Sequence, residues 1–557
     1  MNEPAPATPR TGDGARLHRI NHKRWAVWLL CLFLVLPIIY SYVLHFAAVP
    51  DGHRGTGFLQ YDQPYYMANA REHFDGGKFS FLYGLPFSND PSTPRIYVQI
   101  LSLFLGMLHQ LTNLDPGYIY FAFGLIAALV CARIAIALYD DVIGRDKAAQ
   151  QIGLICFFWG GGLFAIAGVL YAVLIQRVQI FAFDPQNGYW FLNFGRNLFY
   201  PTEAFYHAVF FGTVLMCFRR RYGLAAIGLA VMAISHPFTG LQLLLIVGAW
   251  TALERIILRT YDPPRFLLFV AIILSLLHVG YYLGVLNISS EHRSLQQQWS
   301  LAWILDIKAI LLAYALVGGL IVVRFLWRDR FALPWSNRQD RFFIVWFVVS
   351  LVLANHDLLI EPRQPIHFTR GYIWIPLFFL GAPVLVHGIQ HVLDSRTAIL
   401  SKLAVAAGLL LFLSDNAAWF AGHGYRTLVR DAPLGITLSD EMSRVLAIMN
   451  AQKFRGSLII SEDAQIGYLA TVYTPLRSWR SHKYNTPFKK QRDQELNRFF
   501  ASGIEAPQWR DQPILLLRTK GEHFEDLNWL ENFGFLPIFD GASYSMYARP
   551  GQRSQKN

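Results

Sequence analysis

The sequence predicts a polytopic α-helical membrane protein of about 11 transmembrane helices with a small extracytoplasmic α/β domain at its C-terminal end. Three observations predict this. The 557 residues are 54% hydrophobic and only 15% charged, with a mean hydropathy of +0.30, whereas soluble domains run near a quarter charged. Long apolar runs alternate with short Arg-rich patches, as spans alternate with the loops that orient them. Residues 422–557 break that alternation and have an ordinary soluble composition. Together these exclude a soluble enzyme, a disordered chain and a secreted disulfide scaffold. Cys31, Cys131, Cys156 and Cys217 each lie inside an apolar run, so they read as interior residues and not as disulfide or metal ligands. Much of the net charge of +12 sits at the ends of apolar runs, where it sets topology instead of recruiting nucleic acid.

Residues 1–24 form a basic cytoplasmic tail with Arg10, Arg16, Arg19, Lys23 and Arg24. The run 25–48 is longer than a cleaved signal's apolar core, which makes it a retained signal-anchor. Further spans are expected near 117–139, 150–175, 201–218, 222–236, 238–257, 265–286, 305–326, 341–355, 372–392 and 398–421. Eleven spans put the termini on opposite sides. Lys and Arg concentrate in the loops that fall inside when the N-terminus is cytoplasmic, including Arg219-Arg220-Arg221 and 324–341, so the orientation is N-in/C-out. The transmembrane domain, 25–421, then includes a large outer loop at 49–116. The apolar stretch 96–111 within it is too short to span and reads as an interfacial helix. In 422–557, β-like runs (457–461, 513–518, 535–548) alternate with helix-like ones (463–471, 489–500, 522–532), which is an α/β pattern.

Nucleotide chemistry on the inside lacks its motifs: there is no P-loop and no GxGxxG following a strand. The inner loops are short and basic, and Asp140-Asp141 is accounted for by a solvated helix end. Any active site therefore faces outward. The first outer loop is the richest candidate, reading Tyr61-Asp62-Gln63-Pro64-Tyr65-Tyr66-Met67-Ala68-Asn69-Ala70-Arg71 and then Glu72, His73, Asp75, Gly76 and Gly77. Asp62 has two readings. It caps the helix that begins at Pro64, or it is a general base held at the membrane surface, with Tyr65 and Tyr66 contacting substrate.

Other outer loops add candidates. Glu361-Pro362-Arg363, His367 and Arg370 crowd the entrance to the tenth span. Arginines at an outer surface run against the topology bias. They fit a lipid-linked phosphate or interfacial snorkelling with an Arg–Glu361 pair. Loop 176–200 places Arg177, Asp184, Arg196 and Asn197 among aromatic residues, as a sugar site or an interfacial belt would. Glu203 and His207 lie one turn apart, suited to substrate or metal contact or to a buried pair. In Ser235-His236-Pro237-Phe238-Thr239-Gly240 the turn accounts for Pro and Gly but not for His236, a candidate for the donor phosphate.

The order of signal-anchor, outer loop with Asp62 in a D-x-x-x-Y-x-x-x-A context, interfacial helix and C-terminal outer domain resembles the GT-C superfamily of integral membrane glycosyltransferases. Phe368-Thr369-Arg370-Gly371-Tyr372-Ile373-Trp374-Ile375-Pro376 is similar to the R-Y-x-x-P stretch of relatives of the protein mannosyltransferases and aminoarabinose transferases. Tyr473-Thr474-Pro475 and Ser481-His482-Lys483-Tyr484-Asn485-Thr486-Pro487 resemble the C-terminal domain of bacterial members. The likeness covers most of the chain as architecture and three short patches as sequence. It implies a polyprenyl-phosphate-linked sugar donor, a lipid, glycan or protein acceptor, and Asp62 as the base of an inverting transfer. It implies a site facing the periplasm or cell exterior of a bacterial inner membrane, with Arg370 favoured over Arg363 at the donor phosphate. Gln63 stands where a second acid often follows in this superfamily, which puts a metal at that pair in doubt and leaves a divalent metal elsewhere open.

The competing class is a non-enzymatic carrier or flippase of lipid-linked sugars. A carrier would place charge at mid-membrane and show related halves. Here the polar groups gather at outer span ends, and no half resembles the other.

Overall fold

The computed structural model describes residues 13–551 except 75–78, 91, 176–191, 329–336, 395–398 and 522–527. Arg177, Asp184, Asp75, Gly76 and Gly77 lie outside the described residues, as does part of the 1–24 tail.

Each predicted apolar run is helical. The first helices are α1 (Asp13–Ala47), α2 (Gln63–Glu72), α3 (Ile100–Thr112), α4 (Pro116–Val142), α5 (Ala148–Trp159) and α6 (Phe164–Ile175). There follow α7 (Pro201–Phe218), α8 (Tyr222–Ala233), α9 (Pro237–Ala252), α10 (Arg265–Val279) and α11 (Ser290–Gln298). The membrane part closes with α12 (Ile307–Val323), α13 (Arg338–Ala354), α14 (Trp374–Asp394) and α15 (Ile399–Leu428). Among the described residues seven helices are long and apolar enough to cross a membrane, or eight if α5 and α6 form one broken span. The other three runs of the predicted eleven fall short for visible reasons. Glu203 and His207 lower the hydropathy of α7, α8 has 12 residues, and α13 opens on Arg338, Asp340 and Arg341 within 17 residues.

The run predicted as one span at 150–175 bends by 66° between α5 and α6. The bend falls at Gly160-Gly161-Gly162, where side chains have no room. A Cβ on Gly160 would lie 2.1 Å from the Phe412 ring, and one on Gly162 would lie 2.1 Å from the Leu312 carbonyl oxygen. The amides at the break are taken up by α15 and α12: the Asp415 carboxylate accepts from Gly162 N and Ala165 N, both at 2.8 Å, and the Leu312 carbonyl accepts from Leu163 N at 2.7 Å.

The C-terminal part contains β2 (Thr437–Ser439), α16 (Asp440–Met449), β3 (Leu458–Ser461), α17 (Ala464–Tyr473), β4 (Arg477–Ser478) and α18 (Lys489–Ser502). It ends with β5 (Ile514–Thr519), β6 (Leu536–Asp540) and β7 (Tyr544–Arg549). Of the predicted 522–532 helix, 522–527 are outside the described residues, and Asn528–Phe533 is a 3-10 turn. The sheet order is β4-β3-β5-β7-β6, with β3 parallel to β4 and β5 and with β7 antiparallel to β5 and β6.

Strand alternation sorts this sheet's side chains into two cores. Leu458, Ile460, Ile514 and Leu516 join Trp479, Phe499 and Trp509 on one face. Ile459, Leu515 and Leu517 join the core that continues into the helical bundle. The first outer loop is stitched to the same part. Its strand β1 (His53–Gly55) pairs antiparallel with β2, and the Arg71 guanidinium donates to the Thr471 and Thr474 carbonyls. α15 continues past residue 421 to Leu428.

Candidate active site

Asp62 occupies the N-cap position of α2, with Pro64 in the first turn, yet its side chain makes no capping hydrogen bond. The carboxylate turns outward instead, and Oδ1 lies 2.9 Å from His482 Nε2. His482 is 2% exposed, while Asp62 is 60% exposed, so the acid is open and its partner enclosed. His482 Nδ1 accepts from the backbone N–H of Tyr484 at 3.2 Å and from the Asn485 amide at 2.9 Å. A ring nitrogen that accepts carries no proton, so the proton sits on Nε2, which donates to Asp62. The imidazole is boxed by Tyr61, Tyr65 and Tyr468, with ring centroids 4.8, 5.5 and 5.1 Å away. Enclosure by the cavity walls raises the Asp62 carboxyl. The His482 hydrogen bond and the Arg370 charge outweigh this and hold it below the usual carboxylate value.

Asp62 opens onto a cavity of about 500 Å³. α2 contributes Tyr65 and Tyr66, the α8–α9 turn contributes His236, and the segment before α14 contributes His367 and Arg370. Trp299 and Trp303 come from the segment after α11, and Tyr484 comes from the turn between β4 and α18. His236 caps α9: its Nδ1 accepts from Thr239 N at 3.1 Å. That bond accounts for a histidine in the turn and leaves Nε2 as its protonated nitrogen. His367 lies between Phe238 and Trp303, at 4.7 and 5.8 Å. Burial pushes it down to about 4, with Asp62 pulling the other way, so it is neutral near pH 7, and its Nδ1 accepts from Arg370. The other arm of Arg370 pairs with Glu203, which is 1% exposed.

The predicted residues thus separate. Asp62, Tyr65, Tyr66, His236, Arg363 and Arg370 all line the cavity, Arg363 from an exposed position. Glu203 stands behind Arg370 as its counter-ion. Glu361 is exposed and is not among the lining residues. Arg196 is buried away from the cavity, where it donates to Asn416 Oδ1 at 2.7 Å and to the Asp415 carbonyl at 2.6 Å, over the Trp419 ring. It braces the α5–α6 break.

No role was assigned from the sequence to His482, Trp299, Trp303 or Tyr484. His482 and Tyr484 lie in the C-terminal patch that carries the resemblance, but their place in the site forms only where that turn meets the loop between α1 and α2 and the segment after α11. Gln63 is fully buried, and its Oε1 accepts from Leu59 N at 2.6 Å. Among the described residues no group of three or more His, Cys, Asp or Glu side chains could hold a metal ion. All four cysteines are buried and free.

The fold and site define a helical membrane protein with a loop carboxylate, between α1 and α2, at the mouth of an aromatic, basic cavity. No protein-family model matches the chain, and no curated protein matches it. Among solved structures it is similar to the Archaeoglobus fulgidus oligosaccharyltransferase. The form tethered to an acceptor peptide gives 11% identity, 88% of this chain, 69% of that one and a TM-score of 0.47. The apo form gives the same identity and coverage with a TM-score of 0.46. At that distance the likeness by itself assigns neither fold nor activity.

Proposed function

We propose that this protein is an inverting membrane glycosyltransferase. It moves a sugar from a polyprenyl-phosphate-linked donor to a hydroxyl of a lipid, glycan or protein acceptor on the outer face of a bacterial inner membrane, with the N-terminus inside. The observation that carries this reading is Asp62, ionised and open to a cavity that holds Arg370 among aromatic walls. Aromatic rings suit the apolar faces of sugars, and a guanidinium suits phosphate. An apolar groove of about 540 Å³ between α9, α10 and α13 shares Leu353 with the cavity, which suits a donor carried on a lipid chain.

In this reading Asp62 takes the acceptor hydroxyl proton as that oxygen bonds to the anomeric carbon. The carbon–oxygen bond to phosphate breaks on the opposite face, and the phosphate leaves with the electron pair. Arg370 and the Nε2–H of His236 stabilise the charge that develops on the leaving phosphate. The neutral His367 holds Arg370 without competing for the anion.

The test is transfer of labelled sugar from a panel of polyprenyl-phosphate donors by purified wild type and Asp62→Asn. The variant should lose at least about 100-fold in kcat, the scale of a general base, and melt like wild type. Unimpaired transfer by Asp62→Asn would sink Asp62 as the base. A wild type without transfer that carries lipid-linked sugar across vesicles would favour the carrier class.

A further inference from the structure

We infer that His482, delivered by the C-terminal part, is a positioning residue that orients Asp62 and presents one carboxylate oxygen to the acceptor. The inference rests on the reading of Asp62 as the base. The helical backbone of Asp62 (φ −80°, ψ −13°) and the absence of an N–H on Pro64 leave its carboxylate without a capping partner. Its Oδ1 goes to His482 Nε2 at 2.9 Å instead, and no capping bond claims Oδ2.

The histidine is held from every side in the one tautomer that can do this. Two donors on Nδ1 place the proton on Nε2. The turn that carries it is closed by Thr486 Oγ1 donating to the His482 carbonyl at 2.8 Å and accepting from Ser481 N at 3.2 Å. Across the domain boundary, Trp299 Nε1 donates to the Tyr484 carbonyl at 3.0 Å and Gln298 Nε2 to the Thr486 carbonyl at 3.0 Å. Lys483 N donates to Tyr61 Oη at 2.9 Å. A turn tied at this many points is more than a covering for the membrane part. It fixes one imidazole against one carboxylate.

The groups that face Asp62 are His482 from the C-terminal turn and His367 and Arg370 from the segment before α14. Around them stand the phenols of Tyr61, Tyr66 and Tyr468, all raised by burial, with Tyr120 and Tyr200 behind. Of these, His482 alone hydrogen-bonds the carboxylate, so its removal acts on Asp62 directly.

The experiment measures kcat, donor KM and the pH profile on the donor that wild type uses. His482→Phe keeps a ring in the aromatic box and removes the donor, while His482→Gln restores an N–H at a similar reach. His482→Phe should lose roughly 100-fold in kcat, the scale of a misplaced catalytic group, with donor KM within about twofold of wild type. The acid limb of its profile should move to higher pH, because a hydrogen bond that favours the ionised form is gone. His482→Gln should recover most of the rate, and Asp62→Asn/His482→Phe should be no slower than Asp62→Asn alone.

Wild-type kcat and acid limb in His482→Phe, with Asp62→Asn inactive, would overturn this inference alone. So would His482→Gln being as slow as His482→Phe with both limbs in place. If His482→Phe does not fold, His482→Asn, too short to reach Asp62, replaces it under the same expectations. An active Asp62→Asn, or a wild type inactive on every donor, would overturn the base reading and this inference with it.

Discussion

Asp62 and His482 stand 420 residues apart in the chain and 2.9 Å apart in space. One belongs to the loop between α1 and α2 and the other to a turn between β4 and α18. His482 is set up by its own turn, and Asp62 meets it only across the fold. Asp62 sits at a helix N-terminus that it does not cap, and His482 has its tautomer chosen by an amide two residues on. The pair makes the C-terminal part a wall of the site.

The Arg370–Glu203 pair is nearly out of solvent, with side chains 15% and 1% exposed. Removing one member of a buried pair strands the other, at a cost of about 3–5 kcal/mol. Glu203→Ala should therefore melt well below wild type, and Glu203→Gln, which keeps an acceptor for Arg370, should fall in between. Thermal melting of the purified protein gives the order. A Glu203→Ala that melts with wild type would show that Arg370 finds another partner.

His367 is pushed down to about 4 by burial, against about 6.5 when unfolded. Between those values the unfolded chain binds the extra proton, so the stability linked to His367 is present above about pH 6.5 and is lost as pH falls toward 4. His367→Gln does not titrate and still offers Arg370 an acceptor. Its melting temperature should fall less steeply than wild type between pH 6.5 and 4. Parallel curves would show that His367 carries no such linkage.

Arg492 on α18 ties three segments together. It pairs with Glu291 of α11 at 2.8 Å, donates to the Phe87 carbonyl at 2.9 Å and lies over the Trp479 ring. Glu291 also accepts from Thr93 Oγ1 at 2.7 Å. Arg492→Met should loosen the C-terminal part and cost about 3–5 kcal/mol, read as faster protease cleavage between α15 and β5. Arg492→Met/Glu291→Gln should regain part of that resistance, since no charge is left buried alone. A double variant as labile as the single one would show that packing, and not the charge, holds the junction.

Much of the architecture was legible because apolar length and strand alternation are local. The runs that became α1, α4, α9, α10, α12, α14 and α15 are long and apolar by composition. The α/β alternation after residue 422 announced β3, α17, α18 and β5. The break in α5–α6 was not legible as a bend, because Gly160-Gly161-Gly162 also passes for the small residues of a plain span. The packing of Phe412, Leu312 and Asp415 against them makes the bend. The 522–532 run reads as helix by pattern, and its described portion is a 3-10 turn.

At the site, Asp62 and Arg370 could be picked out because an acid and a cation at outer span ends need a reason. Arg196, picked out because it lies among aromatic residues, turned out to brace the α5–α6 break, since a sequence cannot say which buried partner a guanidinium will find. The sequence by itself determined which segments are apolar enough to leave water and where charge interrupts them, because these depend on residues a few positions apart. Only the tertiary structure decided that Asp62 serves no cap, that Glu203 backs Arg370 and that His482 completes the site. The Glu203–Arg370 and Asp62–His482 contacts join groups 167 and 420 residues apart, set by how helices, loops and sheet close on one another, and no local pattern encodes them.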